Sequence, residues 1–178
     1  SQRTILRRAR RRADWMKRLI AEHDSYIVKE TRFCLTLPAW LDAGAHVERL
    51  VICLRHPHAV ARSLRRRNRA PLPLGVRLWR EHNERLLTAV GPIPVWYVDY
   101  ERLLDAGRGP LEFAGLLRFM GLEVPEQQQT VLHRDVVQTK LNHYHAVEEV
   151  VRESAARRLW EKLQERIECQ QAASCETT

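Results

Sequence analysis

RLVICLRHPHAVARSLRRRN, residues 49–68, decides the fold. Leu50, Val51, Ile52, Cys53 and Leu54 form an unbroken apolar run, as in a strand buried on both faces inside a parallel sheet. The run stops at Arg55, and Pro57 stands where a first-turn helix proline belongs. A small-residue, arginine-studded helix then continues to Asn68. A buried strand that ends on an arginine and turns into a helix presents a cation and free helix amides to the same point.

Working outward, residues 4–24 carry Ile5, Leu6, Ala9, Ala13, Trp15, Met16, Leu19 and Ile20 at helical spacing with cations between them, which predicts one amphipathic helix. Residues 26–29 (YIVK) are aromatic and β-branched and predict a short strand. LTLPAWLDAG predicts a turn or helix start at Pro38 and a stop at Gly44. After the break APLPL, residues 75–90 show a helical stripe of Val76, Leu78, Trp79, Leu86, Leu87 and Val90. VWYVDY, residues 95–100, predicts a third strand, followed by a short helix and a longer one stopped by Gly121 and Pro125. The rest reads as helical, with a break around VVQTKLNHY, a last helix from 146 to about 169, and a disordered tail over 170–178. Three strands near 26–29, 48–54 and 95–99 alternating with helices imply right-handed crossovers and a parallel sheet flanked by helices, an α/β class. The length of 178 residues suits one domain spanning 1–178.

The composition, 44% hydrophobic and 29% charged, excludes a disordered chain. No apolar run reaches membrane-spanning length and no apolar signal core follows the basic start, so a cytoplasmic location is expected. A net charge of +8, from 30 basic and 22 acidic residues, favours an anionic partner. Cys34, Cys53, Cys169 and Cys175 make no CxxC pair; Cys34 and Cys53 read as reduced core residues. His143 and His145 lack an acidic or cysteine partner at ligand spacing, so no metal is expected.

In an open parallel sheet, ligands bind beyond the carboxyl ends of the strands. Arg55 stands there, its fork of donors suited to a phosphate, and Ser63 lies eight residues on in the following helix. The competing structural reading gives Arg55 a strand-end salt bridge and makes Ser63 an ordinary helix residue.

RHPHAVARSLRRR resembles the 3′-phosphate-binding segment of sulfotransferases, in Arg55, Pro57 and Ser63; His56 departs from the acidic or amide residue usual there. IVKETRFCLTLPAWLD is similar to the Val-Lys-Asp-Pro-Arg segment of bacterial and carbohydrate-type members, in Lys29 and Arg32, with Glu30 for the aspartate and Thr31 for the proline. VWYVDYERLLDAGRGPLEFAGLLRFMGLEVP resembles the family's Tyr-Glu-Asp-Leu element and Phe-Leu-Gly-Leu stop, in Tyr100 and Glu101. The resemblance runs from about Tyr26 to Val124. It implies a P-loop-NTPase-like fold and transfer of a sulfuryl group from 3′-phosphoadenosine 5′-phosphosulfate to a hydroxyl or amine of a sugar, lipid or small molecule, without a metal. It also implies that Arg55, Ser63 and Tyr100 contact the donor, that Lys29 and Glu30 are catalytic, and that Arg32 contacts an anion or the acceptor.

The family's 5′-phosphosulfate loop has no counterpart: none of the seven glycines follows a strand and precedes a helix in a phosphate-loop pattern. The chain is therefore expected to be the C-terminal part of a longer enzyme, a truncated product or a degenerate relative, and to be inactive alone. Two alternatives stand beside the enzyme. One is a catalytically inactive sulfotransferase-like binding protein. The other is a basic nucleic-acid-binding module built on RRARRRADWMKR and RSLRRRNR, disfavoured because the first cluster alternates with an apolar stripe and no zinc or RNA-recognition pattern accompanies it.

Overall fold

The computed structural model describes residues 2–23, 26–137 and 153–175. Among the described residues there are two strands, β1 (Leu50–Leu54) and β2 (Val95–Asp99), which pair in parallel from Leu50 opposite Val95 to Leu54 opposite Asp99. A parallel pair needs a crossover, and α4 (Pro57–Asn68) and α5 (Leu72–Val90) form it. The expected α/β class with a short parallel sheet among helices is found.

The expected third strand is not. Residues 26–30 are irregular, and Tyr26, Ile27 and Val28 are 67%, 79% and 64% exposed. Aromatic and β-branched residues favour strands when a pleated, half-buried surface receives them. Among the described residues these have no ladder partner, so propensity alone does not make the strand. Full burial of β1 also fails: Ile52 and Leu54 are buried, whereas Val51 and Cys53 are exposed. The strand covered on both faces is β2, whose Trp96, Tyr97, Val98 and Asp99 are all buried.

The residues group into two compact units, one of Ser1–Glu48 with Glu81–Pro94 and one of Arg49–Arg80 with Val95–Thr178. In the first, the basic amphipathic stretch forms two helices, α1 (Gln2–Arg10) and α2 (Ala13–Glu22), separated by a turn at Arg11 and Arg12. α1 packs on α3 (Phe33–Asp42), which runs through Pro38 instead of starting there and ends before Gly44, whose φ of +96° suits only glycine at little cost. Met16, Cys34, Leu37 and Ala39 are buried here.

In the second unit, the short α6 (Tyr100–Leu104) leads to α7 (Gly109–Phe119), then α8 (Glu126–Val136) and α9 (Ser154–Cys175). α7 and α9 both pack on β2. A Cβ on Gly115 would stand 2.7 Å from Cζ2 of Trp96, so α7 approaches the sheet as only glycine permits. α9 continues to Cys175, beyond the point where polar composition suggests a tail. The reason is a polar contact with backbone. The Gln170 amide donates to the Tyr97 carbonyl at 2.8 Å and its oxygen accepts from the Tyr97 N–H at 2.8 Å, occupying the edge of β2 away from β1. Among the described residues no helix is long and apolar enough to cross a membrane.

Candidate functional site

The register that ends β1 at Leu54 and β2 at Asp99 sets Arg55 beside Tyr100, one residue past each strand. The guanidinium carbon of Arg55 lies over the Tyr100 ring, 4.5 Å from its centroid, a cation–π geometry. Nε of Arg55 donates to Oε1 of Glu101 at 2.9 Å, and the backbone N–H of His56 points to Oε2 of the same carboxylate at 3.5 Å. The indole N–H of Trp79, from α5, donates to the Arg55 carbonyl at 3.0 Å and fixes the backbone at the turn. Arg55 is thus held at its backbone, over its guanidinium face and at Nε.

Two helices begin here. α6 is capped by Asp99, whose Oδ1 accepts from the N–H groups of Glu101 and Arg102. α4 has Pro57 in its first turn and His56 as N-cap, with Nδ1 accepting from the His58 N–H at 3.3 Å. An imidazole therefore fills the capping role of a short oxygen-bearing side chain. His56 also meets the rings of His58 and Trp160 edge-on, at 5.6 and 5.4 Å. Burial pushes the Glu101 carboxyl above the ordinary glutamate range, with the hydrogen bond from Arg55 pulling against it and the charge of Asp99 adding to it.

Ser63 is half-buried on α4, and its hydroxyl makes no hydrogen bond with a described residue. It lies six residues past Pro57, about 9 Å along the axis. A single anion touching both Arg55 and Ser63 must therefore lie along the first turns of α4 and not at its tip.

Of the site residues expected from sequence, Arg55 and Tyr100 come together at the strand ends, with Ser63 on the helix that follows. Lys29, Glu30 and Arg32 belong to the other unit. Lys29 is exposed and ends no strand, which removes the strand-end placement expected for it. Glu30 and Arg32 bind each other in a forked pair, Nε to Oε1 at 3.0 Å and Nη2 to Oε2 at 3.1 Å, and the Arg32 N–H also donates to Oε1 at 2.8 Å. The Arg32 side-chain bonds, followed by its backbone bond, hold the Glu30 carboxyl down at about 2. A carboxylate so depressed is a poor proton acceptor near neutral pH. Lys140, Asn142, His143 and His145 lie outside the described residues.

Sequence reasoning passed over two members of the site. Glu101 entered only as a match to the Tyr-Glu element and His56 only as a departure from a pattern, neither as a partner of the Arg55 turn. The signal for Glu101 was present: strands of equal length in parallel register put the residues after Asp99 beside Arg55.

No protein-family model, curated protein or solved structure matches the chain.

Proposed function

We propose that the chain carries the 3′-phosphate-binding part of a sulfotransferase of P-loop-NTPase-like fold that uses 3′-phosphoadenosine 5′-phosphosulfate. One observation supports this above all: Arg55, stacked on Tyr100, stands at the carboxyl ends of two parallel strands where helix α4 begins. The guanidinium fork and the Ser63 hydroxyl together suit a phosphate lying along the first turns of α4, near the positive end of its dipole. Tyr100 orients the guanidinium and flanks the nucleotide.

In the reaction, the sulfur–oxygen bond to the donor phosphate breaks as a bond to the acceptor oxygen or nitrogen forms, and the acceptor loses its proton. Arg55 and Ser63 act on the unreacting end of the donor. Their binding free energy helps to hold the sulfuryl group in line with its acceptor. The residues of this chain given no step in this proposal include Lys29, Glu30 and Arg32.

A second reading has its own observation. Glu101 already takes Nε of Arg55, as in a purely structural ion pair, and this favours a catalytically inactive binding fold. Isothermal titration separates a phosphate site at Arg55 from a purely structural ion pair. Adenosine 3′,5′-bisphosphate should bind more tightly than adenosine 5′-monophosphate, and Arg55→Ala should weaken the bisphosphate about ten- to a hundredfold, as loss of a charge-assisted bond of about 1.5–3 kcal/mol implies, while sparing the monophosphate. Equal loss for both ligands refutes the 3′-phosphate assignment, and no binding of either leaves the structural ion pair.

A further inference from the structure

We infer that the arginine face of α1 is an interface for the phosphate backbone of a duplex nucleic acid, separate from the nucleotide reading of Arg55. Arg3, Arg7, Arg8, Arg10, Arg11 and Arg12 are all exposed, and none of their guanidinium groups makes an ion pair or hydrogen bond with a described residue. Arg3, Arg7, Arg10 and Arg11 line one shallow hollow together with Leu6. Their spacing explains why: Arg3, Arg7 and Arg10, at i, i+4 and i+7, fall within about 60° of one face of α1, and Arg11 follows in the adjoining turn. Like charges at this spacing repel one another, and the first turn of α1 contains no acid to relieve them. The face carries an unpaid electrostatic cost that a polyanion would remove.

The dimensions fit the backbone of a duplex. From Arg3 to Arg10 the helix rises about 10 Å, and Arg11 follows in the turn. One strand of a double helix presents a phosphate about every 3.4 Å along its axis, three or four within that length. Four guanidinium forks meet about four phosphates, and none is placed to read a base edge.

An anionic bilayer is the less suitable polyanion. Interfacial helices bury a bulky apolar face in the lipid. In α1 the apolar residues Ile5 and Ala9 are half-buried and the helix packs on α3, leaving only Leu6, itself half-buried, beside the arginines. The other arginine cluster differs in kind. Arg65, Arg66 and Arg67 are consecutive on α4 and point about 100° apart, so they share no face.

The test is fluorescence anisotropy of a labelled 20-base-pair duplex with the full chain between 50 and 200 mM NaCl. Binding should be independent of base sequence, and log K should fall against log salt with a slope of about −3 to −4, as four neutralised phosphates require. Replacing Arg3, Arg7, Arg10 and Arg11 together by glutamine should abolish binding, and replacing them by lysine should preserve the slope. Arg65→Gln with Arg66→Gln and Arg67→Gln, and Arg55→Ala alone, should leave affinity within about twofold. The proposal is overturned if the wild-type chain fails to bind at 50 mM NaCl or shows a slope shallower than about −2. Equal binding by the glutamine variant, or tighter binding to phosphatidylserine vesicles than to the duplex, also overturns it. The wild-type slope decides the matter even if the glutamine variant misfolds.

Discussion

Nε of Arg55 and Oε1 of Glu101 are 2.9 Å apart, and about a fifth of each side chain is exposed, at 21% and 19%. The pair closes the carboxyl end of the parallel sheet and competes for the donors a bound phosphate would use. Removing only the arginine leaves a half-buried carboxylate short of a partner. Arg55→Ala should therefore cost about 1.5–3 kcal/mol of unfolding free energy in urea. Glu101→Gln keeps an acceptor for Arg55 and relieves the burial of a charge, so it should cost less. Under the proposed function, Glu101→Gln should also tighten adenosine 3′,5′-bisphosphate severalfold, since a negative charge beside the phosphate is gone. A variant that loses affinity instead would mean that Glu101 positions Arg55 for the ligand and does not compete with it.

Glu112 gives a second prediction, in the pH dependence of stability. It is 6% exposed; one oxygen accepts from Gln171, and Oε2 is buried with no hydrogen-bond partner among the described residues. Burial raises its pKa above the ordinary glutamate value, against the pull of the Arg102 charge. The folded state then holds the proton more tightly than the unfolded chain, so this group's contribution is greatest in acid and declines as pH rises from about 4.5 through the folded value. Urea unfolding at intervals from pH 4 to 7 should show the wild type losing stability relative to Glu112→Gln over that range. A constant difference would mean that Glu112 is charged at no cost.

Gly75 sets the closeness of α5 and α4. A Cβ there would lie 2.7 Å from Cα and 2.8 Å from Cβ of Ala61. In an open helix interior, alanine in place of glycine is favourable by up to about 1 kcal/mol. Here the obstacle is backbone, which cannot rotate away, and overpacking of this kind typically costs about 1–3 kcal/mol. Gly75→Ala should lower thermal stability and also weaken the bisphosphate, because α4 carries both Ser63 and the helix start beside Arg55. Stability equal to or above that of the wild type would show that the helices separate freely.

The 178-residue chain should not transfer sulfuryl groups by itself. Each of its seven glycines already has a structural place. Gly44, Gly91 and Gly121 follow helix ends with positive φ, Gly75, Gly109 and Gly115 lie in helices, and Gly107 is in the turn held by Asp105. None is left for a loop of amides converging on the reacting phosphosulfate. Losing one preorganised donor commonly costs about a hundred- to a thousandfold in rate. A radiolabelled-donor assay over sugar, phenol and lipid acceptors should detect no turnover above background, and robust turnover would reveal a phosphate loop of unfamiliar composition.

What the sequence discloses here follows from what each pattern measures. Apolar runs at residues 50–54 and 95–98 mark strands because burial dictates them, and Pro57 marks a helix start because its ring fixes φ. Residues 26–29 show the same propensity without the partner strand that would realise it, a requirement invisible in local sequence. β1 and β2 look equally apolar, yet α7 and α9 pack on β2, and Val51 and Cys53 of β1 remain exposed. At the site, Arg55 is legible as a cation at a strand end, but its acceptor is not: Glu101 is 46 residues distant and becomes its neighbour only through the register. Gln170 looks like solvent-facing polarity because a side chain that pairs with backbone leaves no apolar trace.

That same glutamine makes the sheet directional. By supplying one donor and one acceptor at Tyr97, its amide does for β2 what a neighbouring strand would do, and no further strand can dock at that position without evicting it. The flank of β1 has no such plug from a described helix. Any enlargement of this sheet, by ancestry, by engineering or by misassembly, must therefore begin beside β1, and a strand grafted next to β2 would have to displace α9 first.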